Sequence, residues 1–518
     1  MSSGDQDPMD RDFGVIAELI HRHAQQAPTR RALADGQHTL DYAALDALMD
    51  RVAAALQRDG LQAGDTVALC AASSALYAAV FLGALRAGVV VAPLPPGLPP
   101  EALGRLLDDA GATRFFIDAG VADTLGMALR DAIPRTRLDA AALDSWLAPA
   151  GSRPQPVAPQ PGWPFNIIYS SGTTGEPKGI VQGHGMRWSH VRRGRQYGYG
   201  PGTVALLSTP LYSNTTLATF FPALAWGGTV ILMPKFDAPA YLQRAQDERV
   251  THTMLVPVQY QRLMAVPDFD RFDLSSFHAK FCTSAPFSAT LKAEVLRRWP
   301  GGLVELYGMT EGGGTCILEA HAWPDKLHTV GRPAEGHDIR LIDDAGRVVP
   351  AGQPGEVVGH SPGMMIGYHQ RPEQTRAAEW FDDTGKRFIR TGDVGRFDAE
   401  GFLTLVDRKK DLIISGGFNI YPSDLEAVLR EHPAVADAAV VGVPSAQWGE
   451  TPVAFVVLCS GHAENAPALR DWANARLGKT QRLADLQFTA ELPRSAIGKV
   501  LKRELRERYV AAAQPLWQ

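Results

Sequence analysis

The stretch Phe165-Asn166-Ile167-Ile168-Tyr169-Ser170-Ser171-Gly172-Thr173-Thr174-Gly175-Glu176-Pro177-Lys178-Gly179 decides how the rest of the chain is read. An apolar run of strand length delivers a segment made almost wholly of hydroxyl side chains, glycines and one lysine. Such a loop can wrap phosphate oxygens: backbone N–H groups and hydroxyls donate, and Lys178 supplies positive charge. It is not the P-loop of nucleoside triphosphatases, because Gly179 follows Lys178 where that motif needs a serine or threonine for magnesium. Alone, the segment equally suits a surface turn.

Working outward, the flanking sequence alternates helix and strand patterns. Leu45, Leu48, Val52 and Leu56 recur at helical spacing and stop at Gly60. A β-rich run over 66–70, a small-residue helix over 74–86 and a second run over 88–91 follow, with further buried-strand candidates at 114–117, 229–233 and 251–256. Alternation of this kind predicts parallel sheets covered on both faces. Residues 150–164 are proline-rich and predict an exposed loop. After about residue 330, glycine and proline punctuate short β runs at 355–358 and 402–406. A charge run, Asp407-Arg408-Lys409-Lys410-Asp411, precedes a helix over 423–430, strands near 438–441 and 453–458, and a last helix from Lys499. The expected architecture is a large α/β amino-terminal body over 1–406, of stacked sheets flanked by helices, with a small β-rich subdomain from about 330. Residues 407–411 join it to an α+β carboxy-terminal domain over 412–518.

Composition narrows the function. The chain has 518 residues, 45% apolar and 21% charged, enough for several folded units and without the signature of disorder. Lysine and arginine total 51 against 56 acidic residues, a net charge of −5, which argues against a dedicated nucleic-acid binder. The longest uncharged apolar stretch, 66–85, is divided by Ser73-Ser74, so no membrane span is expected. The amino terminus is polar and acidic, unlike a secretory or transit leader. Cys70, Cys282, Cys316 and Cys459 stand far apart with no CxxC, indicating neither a zinc site nor a disulfide framework. These features predict a soluble, cytoplasmic enzyme, monomeric or homodimeric.

Further motifs succeed the loop in order: Tyr307-Gly308-Met309-Thr310-Glu311, Arg390-Thr391-Gly392-Asp393, the charge run at 407–411, and Pro493-Arg494-Ser495-Ala496-Ile497-Gly498-Lys499. The series resembles the adenylate-forming superfamily of acyl- and aryl-CoA ligases, peptide-synthetase adenylation domains and luciferase, over nearly the whole chain. The resemblance implies a mobile carboxy-terminal domain and a two-step reaction. A carboxylate attacks the α-phosphate of ATP to give an acyl-adenylate, and coenzyme A then displaces AMP. It assigns Ser170, Ser171, Gly172, Thr173, Thr174, Gly175 and Lys178 to the β- and γ-phosphates, Thr310 to the α-phosphate and Glu311 to Mg²⁺. Tyr307 would face adenine on one side and Ser284, Ala285 and Pro286 on the other, with Gly308 and Met309 also in the nucleotide site; Asp393 would accept from the ribose hydroxyls and Arg408 would contact ribose or phosphate. Lys499 would offset the repulsion between carboxylate and phosphate. Lys410 would be the hinge, and Ser415, Gly416, Gly417 and Trp448 would pass the pantetheine arm of coenzyme A.

The acid is less defined. Tyr212, Ser213 and Asn214 resemble a motif in which many CoA ligases carry histidine at the position of Ser213. Gly312, Gly313 and Gly314 predict a deeper or wider acyl pocket, with Trp188, Thr283 and Leu306 as further lining. The expectation is a hydrophobic medium- to long-chain or aryl carboxylate. The nearest alternative is adenylation of an amino acid or acyl group for transfer to a carrier protein, though the acidic residue that would face an amino acid's ammonium group is lacking. Nucleotide binding without turnover is the alternative of another class. Gly359-His360-Ser361-Pro362-Gly363 matches a hydrolase nucleophile elbow, but Pro362 has no N–H for an oxyanion.

Overall fold

The computed structural model describes residues 8–125, 133–170, 178–408, 411–415, 418–445, 447–478, 481–495 and 498–513. The chain forms two compact units, Met1–Ile339 with Gly359–Ile389, and Arg340–Val358 with Arg390–Gln518. The division falls within the strands Asp338–Ile342, Gly355–His360 and Arg387–Phe397. It therefore lies upstream of the charge run at 407–411, the joint expected from the sequence. The reason is pairing inside the second unit: Arg390 forms an ion pair with Glu356 at 2.7 Å, and Thr391 Oγ1 donates to the carbonyl of Val357 at 2.9 Å.

The first unit holds two large sheets. Nine strands run from edge to edge as Arg332–Pro333, Thr315–Glu319, Gly302–Gly308, Ala279–Cys282, His252–Leu255, Val204–Leu207, Thr229–Leu232, Arg31–Ala34 and Thr39–Asp41. Neighbours from Gly302–Gly308 to Arg31–Ala34 are parallel, and the outer strands are antiparallel. A second sheet of seven strands carries Pro164–Ser170 parallel to Val90–Pro93, with Lys178–Gly183 and then Gly367–Tyr368 added antiparallel.

Helix Ala75–Arg86 begins where Ser74 Oγ accepts from the N–H of Tyr77 at 3.1 Å, a side-chain cap. It is apolar all round and buried from Ala75 to Leu85, as a helix without a polar face must be. At its end Arg86 pairs with Asp46 and Asp50 of helix Tyr42–Arg58 at 2.5 and 2.7 Å. Phe165, at the start of the loop-bearing strand, meets Phe81 of this helix at 6.4 Å and Phe221 of helix Asn214–Ala225 at 5.1 Å. Each such buried ring stabilises by about 1.5–3 kcal/mol.

In the second unit, Val435–Ser445 and Gly449–Leu458 pair antiparallel, flanked by Ile413–Ser415, Phe418–Ile420 and Asp485–Phe488. Alternate residues of the first strand separate by face. Ala438 and Val440 pack with Leu425, Leu429 and Leu469 of helices Pro422–Arg430 and Ala466–Asn474. Ala439 and Val441 pack with Leu505 of helix Lys502–Ala513. This two-residue period covers the sheet on both sides.

One buried ion pair fixes the strand that carries the Tyr307 motif. Lys292, on helix Ala289–Arg298, bonds to Glu305 on Gly302–Gly308 and donates to the carbonyls of Leu327 and Thr329 at 2.8 and 3.0 Å. Both side chains are shielded from water, and burial pushes Glu305 up to about 7. Lys292→Met leaves that carboxylate without its cation. The substitution is expected to destabilise the unit by about 3–5 kcal/mol, read as a lowered denaturation midpoint in urea.

Candidate active site

The loop quoted first is closed at its base by a backbone pair, Ser170 opposite Lys178, in the ladder between Pro164–Ser170 and Lys178–Gly183. Ser171, Gly172, Thr173, Thr174 and Gly175 lie outside the described residues. The Lys178 ammonium sits over the ring of Tyr368, 5.1 Å from its centre, and the Tyr368 hydroxyl donates to Glu311 Oε1 at 2.9 Å. Burial and the Glu311 charge push the Tyr368 hydroxyl well above its usual range, so it stays a donor. Tyr368 thus ties the loop lysine to the carboxylate expected at the metal.

Tyr307 to Glu311 sit at the carboxyl end of Gly302–Gly308, the place where open parallel sheets bind ligands. The neighbouring parallel strand Ala279–Cys282 leads into Thr283 and Ser284 at the same end. Thr283 Oγ1 donates to the carbonyl of Leu306 at 2.7 Å, and Ser284 Oγ lies 2.6 Å from Thr215 Oγ1. Ser284 has φ +82°, in the left-handed region that costs a non-glycine residue about 1–3 kcal/mol. The two segments expected to flank adenine, 284–286 and 307–309, therefore emerge side by side.

Beneath Thr310 lies a cradle that sequence reading missed. Gln182 Nε2 donates to the Thr310 carbonyl at 2.8 Å and to Asn214 Oδ1 at 3.2 Å. Asn166 Nδ2 donates to Gln182 Oε1 at 3.0 Å. Arg187, fully buried, donates to Asn166 Oδ1 at 2.9 and 3.1 Å, to Asn214 Oδ1 at 2.8 Å and to Gln182 Oε1. Burial pulls its guanidinium down to about 9. The available signal was a polar residue in each of two otherwise buried runs, Ile180 to Val181 and Met186 to Trp188.

Several acid-pocket assignments move. Ser213 Oγ accepts from the N–H of Thr215 at 3.3 Å and caps helix Asn214–Ala225, while Asn214 is engaged by the cradle. Tyr212 is half-buried, and its hydroxyl is raised by burial. Trp188 is core, not pocket: it packs on Phe13 and Gly14, and its indole N–H donates to the Arg11 carbonyl at 3.2 Å. The three glycines mark close packing against backbone and side chains, not open space. A Cβ on Gly312 would lie 2.0 Å from the Gly363 carbonyl oxygen, one on Gly313 2.7 Å from Ile389 Cβ, and one on Gly314 2.2 Å from Ile339 Cδ1. Ser361 of the elbow-like segment donates to the Gly312 carbonyl at 2.7 Å and accepts from Gly363 N–H at 3.0 Å, so that motif is a turn packed against the glycines. Leu306 does line a cavity, of about 50 Å³, together with Met254, Phe281 and Pro222. A larger cleft of about 390 Å³ beside Phe269 and Arg298 touches none of the motif residues.

Within the second unit, Asp393 pairs in register with Arg408 across the ladder of Arg387–Phe397 and Leu403–Arg408. Asp407 Oδ2 accepts from the N–H of Ser423 at 3.0 Å, anchoring the charge run to helix Pro422–Arg430. Lys410, Gly416 and Gly417 lie outside the described residues. Ser415 pairs with Gly449, the residue after the exposed Trp448, so two segments expected at coenzyme A are adjacent. Lys499 leaves a tight turn: Gly498, at φ +78°, donates its N–H to the Ser495 carbonyl at 2.8 Å, and Lys499 N–H donates to Ser495 Oγ at 3.2 Å.

A family model described as AMP-binding enzyme matches residues 20–369, and one described as AMP-binding enzyme C-terminal domain matches 424–499. The chain is 35% identical over 498 residues to a feruloyl-CoA synthase of an Amycolatopsis species, covering 94% of this chain and 98% of that one. It is 34% identical over 516 residues to an indoleacetate–CoA ligase of Aromatoleum aromaticum, covering 95% and 98%. The solved structure of ATP-bound MatB from Rhodopseudomonas palustris superposes with a TM-score of 0.86 at 28% identity, covering 96% of this chain and 100% of that one.

The packing of the glycines sets an expectation opposite to that of a pocket floor. Gly314→Ala, at φ +89° with no room for a methyl, should lower the denaturation midpoint. The order of preference among acids of different length should stay as it was, read in a thioester-forming assay.

Proposed function

This chain belongs to the AMP-binding enzyme family, and from that premise and its sites we infer the reaction and the work of each residue. It is an AMP-forming carboxylic acid–CoA ligase. In the first step an oxygen of the acid bonds to the α-phosphorus of ATP, the bond to the bridging oxygen breaks, and pyrophosphate leaves. In the second the sulfur of coenzyme A bonds to the acyl carbon, AMP leaves, and the thiol proton passes to solvent.

The observation that carries the reading is the convergence at the end of Gly302–Gly308. Gln182 holds the Thr310 carbonyl while Tyr368 joins Lys178 to Glu311. A carboxylate nearing a polyphosphate is repelled, and preorganised donors and cations lower that barrier. We assign Lys178 and the loop it closes to the β- and γ-phosphates, Thr310 to the α-phosphate, and Asp393 with Arg408 to the ribose. Glu311 would hold Mg²⁺ as a hard oxygen ligand, the ion supplying further charge to the phosphates. Among the described residues no group of three metal-ligating side chains forms a cage, which fits an ion that shares its shell with substrate phosphates.

Feruloyl-CoA synthase and indoleacetate–CoA ligase are named for aryl acids, which supports a hydrophobic or aryl carboxylate here. Among the described residues no helix is long and apolar enough to cross a membrane. The four cysteines are free thiols, in keeping with a cytoplasmic setting.

Lys499 supplies the cation for adenylation, and Lys410 gives the hinge that removes it before sulfur arrives. AMP release that needs both an acid and coenzyme A tests the reaction. Lys499→Ala should slow acid-dependent pyrophosphate exchange roughly a hundred- to thousandfold. Thioester formation from supplied acyl-adenylate should persist. Lys410→Pro should do the reverse, sparing exchange and depressing the thioester step; equal damage to both steps in either variant would contradict the division.

A further inference from the structure

The two strands that close the phosphate loop are fastened from the side by a carboxylate to which the reaction gives no part. Asp109 sits in the last turn of helix Pro100–Ala110, whose apolar residues share one core with Ile167 and Val181 of those strands. Its Oδ2 accepts from the Tyr169 hydroxyl at 2.8 Å, and its Oδ1 accepts from Arg371 Nη2 at 2.7 Å. A carboxylate is disfavoured at a helix C-terminus, where the last backbone carbonyls already gather negative charge. The two donors offset that cost. Burial, then the bond to Asp109, raise the Tyr169 hydroxyl, so it stays a donor.

Each donor leads to a group assigned to the phosphates. Tyr169 precedes Ser170, which pairs with Lys178, and its ring lies against Gly179: a Cβ there would meet Tyr169 Cε1 at 3.2 Å. Arg371 follows the short strand Gly367–Tyr368, which has two residues in register with the Lys178–Gly183 strand. The Arg371 N–H donates to the Tyr368 carbonyl at 3.2 Å. Thr375 Oγ1 donates to the Arg371 carbonyl at 3.0 Å and accepts from the Tyr368 N–H at 2.9 Å. Asp109 therefore bridges the strand entering the loop to the segment whose Tyr368 ring carries the Lys178 ammonium.

We propose, on the basis of the ligase reading above, that Asp109 is a positioning residue for the β- and γ-phosphates of ATP. Through Tyr169 and Arg371 it fixes the spacing between the base of the loop and Tyr368, and with it the place of Lys178. Its influence is confined to ligands that carry those phosphates. ATP and pyrophosphate feel it; AMP and the acyl-adenylate do not. Asp109→Asn keeps the shape, removes the charge and turns an amide donor towards Tyr169 or Arg371, so one of the two charge-assisted bonds is lost.

The test titrates the full-length enzyme with magnesium-ATP and with AMP by calorimetry, without any acid. Asp109→Asn should weaken ATP by about tenfold or more; a misplacement of about 1 Å can cost as much as about a hundredfold. AMP should bind as it does to wild type. Pyrophosphate exchange, run with the acid wild type uses fastest in a carboxylate panel, should show KM for ATP and for pyrophosphate raised together. Thioester formation from that acid's adenylate should be unchanged. Tyr169→Phe, which keeps the ring against Gly179, should weaken ATP in the same selective way, and the double variant should be no weaker than Asp109→Asn alone. Unchanged ATP affinity in Asp109→Asn, a loss shared equally by ATP and AMP, or full additivity of the two substitutions overturns the proposal alone. Wild type that exchanges pyrophosphate with no acid of the panel overturns the ligase reading.

Discussion

The arrangement at the end of the loop-bearing strand depends on a guanidinium that meets no carboxylate among the described residues. Arg187 is sealed from water, and its donors end on the amide oxygens of Asn166, Gln182 and Asn214. An arginine can only donate, so it dictates which way each amide points. With their oxygens turned to Arg187, the amide nitrogens must bond elsewhere. Gln182 sends its nitrogen to the carbonyl of Thr310, and Asn166 sends its own to Gln182. One buried cation thus orders an amide chain that ends at the backbone of the Tyr307 motif, joining the two sheets' contributions to the site. The aromatic faces of Phe165 and Phe221, 5.8 and 5.6 Å from the guanidinium, complete its surroundings.

Much of this was legible in the sequence, and the exceptions have physical causes. Element types were readable because the alternation of helix and strand periods is strong: the small-residue run over 74–86 is the helix Ala75–Arg86, and 229–233 contains the strand Thr229–Leu232. The motif at 307–311 stood out because the ordered series of motifs it belongs to resembles the adenylate-forming superfamily. Gly312, Gly313 and Gly314 misled because a missing side chain has two meanings, space for a ligand or close approach of another backbone, and sequence does not separate them. Here the partner is the segment from Gly359 to Gly363. Trp188 misled for a related reason: a large apolar residue near a site suits its wall and its supporting core equally.

The residues missed altogether, Gln182, Arg187 and Tyr368, hold other protein groups in place, and a motif search sees only groups expected at the ligand. Tyr368 comes from a two-residue strand, Gly367–Tyr368, far along the chain from the Lys178–Gly183 strand it pairs with. Nothing local to residue 368 announces a link between Lys178 and Glu311.

A pattern in the charges connects these observations. Elsewhere in the first unit several buried or half-buried cations meet carboxylates, Arg86 with Asp46 and Asp50, Lys292 with Glu305 and Arg114 with Asp59, while Lys280 ends on backbone carbonyls. Those pairs hold elements together and cancel their own fields. Lys178, Arg187 and Arg193 form no such pairs among the described residues; they rest on a ring face, on amide oxygens and beside a neutral imidazole. Neutral partners satisfy part of a cation's bonding without removing its charge, so its potential reaches into the neighbouring space, where low dielectric strengthens it. A carboxylate in place of Asn214 would pair Arg187 more tightly, and would also put a negative charge beside the residues assigned to ATP. Beside the positions assigned to ATP, Lys178 and Arg187 thus keep positive charge that no carboxylate pairs with among the described residues, where the anionic phosphates must be gathered.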